Sequence, residues 1–228
     1  MEQVIGRNLQ RVREEIARAA RRAGRDPAEI KIVAVSKGVP VAAIRTAQAL
    51  GLTVFGESRV QEFVRKYREI GDQVEWHFVG CLQRNKVKYL LGRVQLIHSL
   101  DRWNLAVELD RRGVKRGVVF DTLVQVNIAR EPGKHGFYEE EVRDFLAAAA
   151  GLAGVRVRGL MTLAPYVEDP EEARPVFRRL RELAGRCRDV PGVTMEFLSM
   201  GMTQDFAVAV EEGANLVRIG TAIFGFRK

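Results

Sequence analysis

Lys37 follows the run IKIVAVS, so its amine stands two residues past a β-branched stretch that reads as a buried strand. A lysine partly buried at a strand end would have a lowered pKa and would present the neutral amine that condensation with a carbonyl requires. From position alone, a solvated lysine closing a strand is an equal reading. Near the other end of the chain, SMGMT and RIGTAIFG are glycine-containing turns rich in hydroxyls and backbone N–H groups, the composition of an anion cradle. Between them Arg218 sits inside LVRIG, where a fixed cation is costly unless it meets an anion or a heteroatom acceptor. A salt bridge to a carboxylate on a neighbouring strand would serve that need equally well.

These residues require elements that bring both ends of the chain together. Apolar runs recur as IKIVAVS, TVFGE, WHFVG, QLIHSL, TLVQVNI, VRGLMTL, MEFLSMG and LVRIGTAIFG, which makes eight strands. Stretches with helical periodicity separate them, among them VAAIRTAQALG, RVQEFVRKYREIG and DPEEARPVFRRLRELAGR, and several close on glycine. Eight strand–helix units in 228 residues predict an α/β fold, a single (β/α)8 barrel. A further helix, MEQVIGRNLQRVREEIARAARRAG, precedes the first strand. No Pro/Gly/Ser-rich linker divides the chain, so one domain over 1–228 is expected, with AREPGKHG its longest irregular stretch.

Function in such barrels gathers at the C-terminal ends of the strands, and phosphate is often bound after strands seven and eight. The residues closing the runs are Lys37, Glu57 with Ser58, His77, Ser99, Asn127, Thr162, Ser199 with Gly201, and Arg218 with Gly220 and Thr221. An imine-forming lysine, a phosphate cradle and an arginine near a pyridine ring together point to pyridoxal 5'-phosphate. A class I aldolase would use the same lysine without the cofactor.

Composition bounds the alternatives. The net charge of +8 would suit a nucleic-acid partner, but basic residues such as Arg18, Arg21, Arg178 and Arg181 share helices with Glu14, Glu15, Glu171 and Glu182. No basic stripe is interleaved with aromatics, so no nucleic-acid partner is expected. No apolar run approaches the ~20 residues of a membrane span, and the N-terminus lacks a secretory core, which predicts a cytoplasmic protein with no membrane partner. Cys81 and Cys187 show neither CxxC nor Cys/His spacing; both are expected to be reduced packing residues, with no metal site and no cation beside Cys81.

The motifs AVSK (34–37), FGESRVQE (55–62), WHFVGCLQRNK (76–86), RGLM (158–161), LSMGMTQD (198–205) and VRIGTAIFG (217–225) resemble those of the pyridoxal phosphate homeostasis proteins, small relatives of the alanine racemase N-terminal barrel. The resemblance covers nearly the whole chain. It implies that Lys37 carries the cofactor as a Schiff base, that Ser199 to Met202 (with Gly201) and Gly220 to Thr221 contact phosphate, and that Arg218 faces the pyridine nitrogen. Arginine there would leave the ring nitrogen largely unprotonated and the ring a weak electron sink. Ser58 stands where the family has asparagine and Cys81 where it has proline, which puts a side-chain contact at 58 in doubt. His77 is placed either near the cofactor or as a satisfied strand histidine. The racemases' second domain and its tyrosine base have no counterpart before Lys228, and Tyr67, Tyr89, Tyr138 and Tyr166 have no positional claim to that role. The implied function is intracellular homeostasis of pyridoxal phosphate, held on Lys37 and delivered to pyridoxal phosphate-dependent apo-enzymes by a monomer or weak dimer. The alternative is a weak pyridoxal phosphate-dependent racemase or Schiff-base lyase.

Overall fold

A computed structural model describes residues 2–225; the short tail ending at Lys228 lies outside the described residues. Eight parallel strands close on one another in chain order: β1 (Lys31–Val35), β2 (Val54–Glu57), β3 (Glu75–Phe78), β4 (Leu96–Leu100), β5 (Phe120–Val126), β6 (Val155–Thr162), β7 (Phe197–Ser199) and β8 (Leu216–Ile219). The seam is made by β8 against β1, with Val33 opposite Arg218 and Ala34 opposite Ile219. The sequence's first and last motifs are therefore neighbours in space.

Strands buried on both faces cannot alternate apolar with polar residues, because each face meets its own apolar layer. The inner layer holds Val33, Val54, Leu96, Leu123, Met161 and Leu216; residues of opposite parity, such as Phe55, Trp76, Ile97 and Val217, join the larger layer between barrel and helices. That outer ring contains α1 (Glu2–Arg22), α2 (Val41–Ala49), α3 (Val60–Ile70), α4 (Trp103–Arg116), α5 (Glu139–Ala149), α6 (Arg174–Arg186), α7 (Phe206–Glu211) and α8 (Thr221–Phe224). Between β3 and β4 the connection is a 3₁₀ stretch, Arg84–Tyr89.

The N-terminal helix has a structural reason. α7 and α8 are only six and four residues long and leave the barrel flank thinly covered. α1 lies against both, burying Ile5, Leu9, Val12 and Ile16. Asn8 Nδ2 donates to the carbonyl of Ile223 at 3.0 Å, and just beyond the helix Arg25 donates to the carbonyls of Val210 and Ala214 at 2.8 Å each.

Several arginines pair with carboxylates of other elements. Arg174 pairs with Glu171, Glu211 and Glu212, Arg178 and Arg181 reach Glu212, and Arg22 meets Glu211. Among the described residues no helix is long and apolar enough to cross a membrane.

Candidate active site at the barrel mouth

Lys37 occupies an exposed turn directly after β1, more open than the partial burial expected of it, because the chain leaves the barrel wall at Ser36. The turn itself is anchored on both sides. The carbonyl of Ser36 accepts from Lys66 Nζ at 2.5 Å, and the N–H of Gly38 donates to Glu62 Oε1 at 2.5 Å. Lys66, on α3, also donates to Glu57 Oε1 at 2.6 Å and to Glu62 at 2.8 Å, while the Ser36 hydroxyl donates to Glu57 Oε1 at 2.7 Å. Glu57 closes β2 with its side chain turned toward α3, and its Oε2 is buried with no hydrogen-bond partner. Burial pushes the Glu57 carboxyl above the ordinary range, a rise that Lys66 and Ser36 partly offset. Lys66 and Glu62 thus hold the backbone on either side of Lys37, whose amine is in no ion pair among the described residues.

On the other side of the seam, Arg218 is 4% exposed. Its Nη1 donates to Ser199 Oγ at 2.5 Å and its Nη2 to the carbonyl of Thr162 at 2.8 Å. Both partners are neutral, and the carboxylate salt bridge considered as an alternative is not formed among the described residues. Burial lowers the Arg218 pKa to about 10, with Asp205 acting in the opposite direction, so the guanidinium stays cationic at neutral pH. A buried cation balanced by no direct carboxylate is electrostatically suited to a ligand that carries negative charge or a lone pair.

Ser199 connects this arginine to a polar column through the barrel interior. His98 Nδ1 lies 2.8 Å from Ser199 Oγ, His98 Nε2 lies 2.9 Å from His77 Nδ1, and His77 Nε2 lies 2.9 Å from Glu75 Oε1. Burial depresses both imidazoles, His98 well below its ordinary value, so both are neutral. The directions then follow in one sense. The Glu75 carboxylate accepts from His77 Nε2–H, His77 Nδ1 accepts from His98 Nε2–H, and His98 Nδ1 accepts the Ser199 hydroxyl proton. That leaves the Ser199 oxygen to receive Arg218. His77 therefore spends both ring nitrogens inside the column. His98 and Glu75, which sequence reasoning did not single out, are as much a part of it.

The glycine turn after β7 is closely packed. Gly201 has φ +89°, and a Cβ there would lie 2.6 Å from Ala209 Cβ and 2.9 Å from Phe206 Cα. Its carbonyl accepts from Arg218 N at 3.0 Å, and the N–H of Met202 donates to Asp205 Oδ1 at 2.6 Å. Thr203, another residue not singled out, ties this turn to the next: its hydroxyl oxygen accepts from the Thr221 hydroxyl at 3.1 Å and from the N–H of Ala222 at 3.3 Å. Gly220 caps the short helix that Thr221 begins. Ser58 is partly buried after β2, with its backbone pressed against Gly80.

The cysteine expectation is half met. Cys187 packs in the core at 1% exposure, but Cys81 is exposed on the rim, because it lies in the loop past β3 and not in the strand. Arg102 is a cationic neighbour that its local sequence does not reveal. Of the tyrosines, Tyr67 donates its hydroxyl to Asp72, while Tyr166, in the loop after β6, accepts from Gln204 at 3.2 Å.

A closed parallel barrel with a lysine turn after its first strand and hydroxyl-rich turns after its last two is of the alanine racemase type, and the family model "Alanine racemase, N-terminal domain" matches residues 7–228. The pyridoxal phosphate homeostasis protein of Aquifex aeolicus is 50% identical over 221 residues, covering 96% of this chain and 97% of the relative. That of Pseudomonas aeruginosa is 38% identical over 224 residues, covering 98% and 96%. The structure of PipY from Synechococcus elongatus with PLP bound superposes with a TM-score of 0.84 at 34% identity, covering 97% of this chain and all of that one. The chain belongs to the pyridoxal phosphate homeostasis protein family.

Proposed function

We propose that this chain binds pyridoxal 5'-phosphate at the mouth formed by β7, β8 and β1, holds it on Lys37, and acts in intracellular pyridoxal phosphate homeostasis by delivering it to apo-enzymes. The observation that carries the reading is the seam: Val33 opposite Arg218 sets the lysine turn beside a buried cation whose bonded partners are neutral oxygens. When bound, pyridoxal phosphate supplies an aldehyde able to condense with a lysine amine and a ring that withdraws electrons. Lys37 offers the amine from a turn whose backbone is already fixed, so binding orders little more than the side chain itself. Arg218 can only donate hydrogen bonds, so a ring nitrogen facing it must accept and stay unprotonated. The Thr203 hydroxyl and the N–H groups of the turns at Gly201 and Gly220 are the donors for a phosphate, the Ser199 and Thr221 hydroxyl protons being given to His98 and Thr203. These donors are themselves uncharged, which suits a ligand that is to be released. The curated relatives of 50% and 38% identity support the homeostasis role, and the PLP-bound structure of PipY supports the ligand.

The test is the visible spectrum of wild type and Lys37→Ala after incubation with pyridoxal phosphate, then borohydride reduction and peptide mapping. A yellow wild type with the label on Lys37 and a colourless variant is expected. A wild type that takes up no chromophore, or a label on another lysine, would overturn the assignment. Delivery is tested by mixing loaded protein with an apo-aminotransferase and following recovery of its activity.

A further inference from the structure

On the opposite arc of the rim, above β3, β4 and β5, three side chains from separate loops converge. Cys81 Sγ lies 3.9 Å from Asp101 Oδ2, His135 Nδ1 lies 3.1 Å from the same oxygen, and all three atoms lie within 4.8 Å of one another. We propose that Cys81, Asp101 and His135 form a binding site for a borderline-soft divalent cation of the zinc type, with a fourth position open to solvent or a ligand at the barrel mouth.

The donor set fits such an ion. Thiolate, imidazole and carboxylate in a set of three protein ligands is a zinc-type combination, whereas magnesium or calcium would call for oxygens alone. Tetrahedral zinc bonds of about 2.0–2.3 Å put neighbouring ligand atoms about 3.4–3.6 Å apart. The 3.1 and 3.9 Å separations about Asp101 bracket that spacing, and the third, between Cys81 and the exposed His135, is within 4.8 Å.

The site is also built before any ion arrives. Asp101 has a side chain only 1% exposed, and Arg102 Nη1 binds its Oδ1, which turns Oδ2 toward Cys81 and His135. Arg102 Nη2 donates to the carbonyl of Leu82 at 2.6 Å, and the Ser99 hydroxyl donates to that of Gly80 at 2.5 Å, so both backbone neighbours of Cys81 are fastened to the end of β4. The carbonyl of His135 accepts from Gln125 Nε2 at 2.9 Å, and Phe137 is bridged to β5 through Gln125 and Asn127. The other cations of the His135 loop are occupied, Lys134 by Glu131 and Arg130 by Glu140. A bound metal displaces the Cys81 thiol proton to solvent. Occupation would clip the 127–138 loop to the loop after β3.

The experiment is titration of the full, untagged chain with Co²⁺ and, in competition with a chromophoric chelator, Zn²⁺, with no pyridoxal phosphate added. Cys187, the only other cysteine, is buried, so a thiolate-to-cobalt charge-transfer band reports Cys81. One equivalent per chain, a band lost in Cys81→Ala, and Zn²⁺ affinity lowered more than about tenfold in His135→Ala are expected, with circular dichroism unchanged. No uptake, cobalt bound without the band, or affinity unchanged in either variant would overturn the site.

Discussion

Lys66 Nζ lies 2.6 Å from Glu57 Oε1, both side chains at most 1% exposed, and the same ammonium grips the backbone of the turn that carries Lys37. A charge pair this deep contributes little net stability when whole, but removing one member strands the other. Lys66→Met should therefore cost about 3–5 kcal/mol, and Lys66→Met combined with Glu57→Gln should recover much of it. Urea denaturation of the two single variants and the double variant measures the coupling. Loss of hydrogen-exchange protection at the Gly38 N–H would accompany the single change, and an unchanged Gly38 would show that Glu62 holds the turn alone.

The neutral imidazoles predict how stability responds to acid. His98 has a folded pKa well below its ordinary value, so the unfolded chain takes up a proton below pH ~6.5 that the folded chain refuses. The stabilisation is complete above that pH and is lost as pH falls toward the folded value, at about 1.4 kcal/mol per pH unit for each such group. His98→Gln retains an amide donor toward His77 and should reduce the slope of stability against pH between about 6.5 and 5 by that amount. Equal slopes in wild type and variant would place the acid sensitivity elsewhere.

Ser199 receives Arg218 and donates to His98, so Ser199→Ala leaves a buried guanidinium and a buried imidazole each one partner short. A loss of about 1–3 kcal/mol in thermal or urea unfolding is expected. If Arg218 is oriented toward the ligand through this oxygen, pyridoxal phosphate affinity should fall as well, while Lys37 is still the labelled residue.

Gly201→Ala introduces a Cβ at φ +89° against Ala209 and Phe206. Strain of about 1–3 kcal/mol is expected, and relief requires the turn to move with Met202. Phosphate-dependent retention of the cofactor should suffer more than Schiff-base formation with pyridoxal, which lacks the phosphate, and comparing the two aldehydes by absorbance reads that difference.

Much of the barrel is legible along the chain, because strand runs, helix periodicity and closing glycines are local properties. The strand-end places of Lys37 and of the turns at Gly201 and Gly220 are legible in the same way, because they follow from where the apolar runs stop. His98 was not legible: in a run as apolar as QLIHSL, buried on both faces, nothing local says that Leu96 points inward and Ile97 outward, and so nothing says that His98 enters the interior. The role of Lys66 was equally hidden, since a lysine at helical spacing reads as a solvated face until the helix is laid against β2. The exposed position of Cys81 depends on where β3 ends.

By itself, then, the order of residues determined the family and the eight-strand plan. Tertiary structure decided which of these groups meet, because closure of β8 onto β1 joins residues nearly two hundred positions apart and because three loops of unrelated sequence set Cys81, Asp101 and His135 around one point. Such meetings depend on strand register and loop path, which local propensity does not encode.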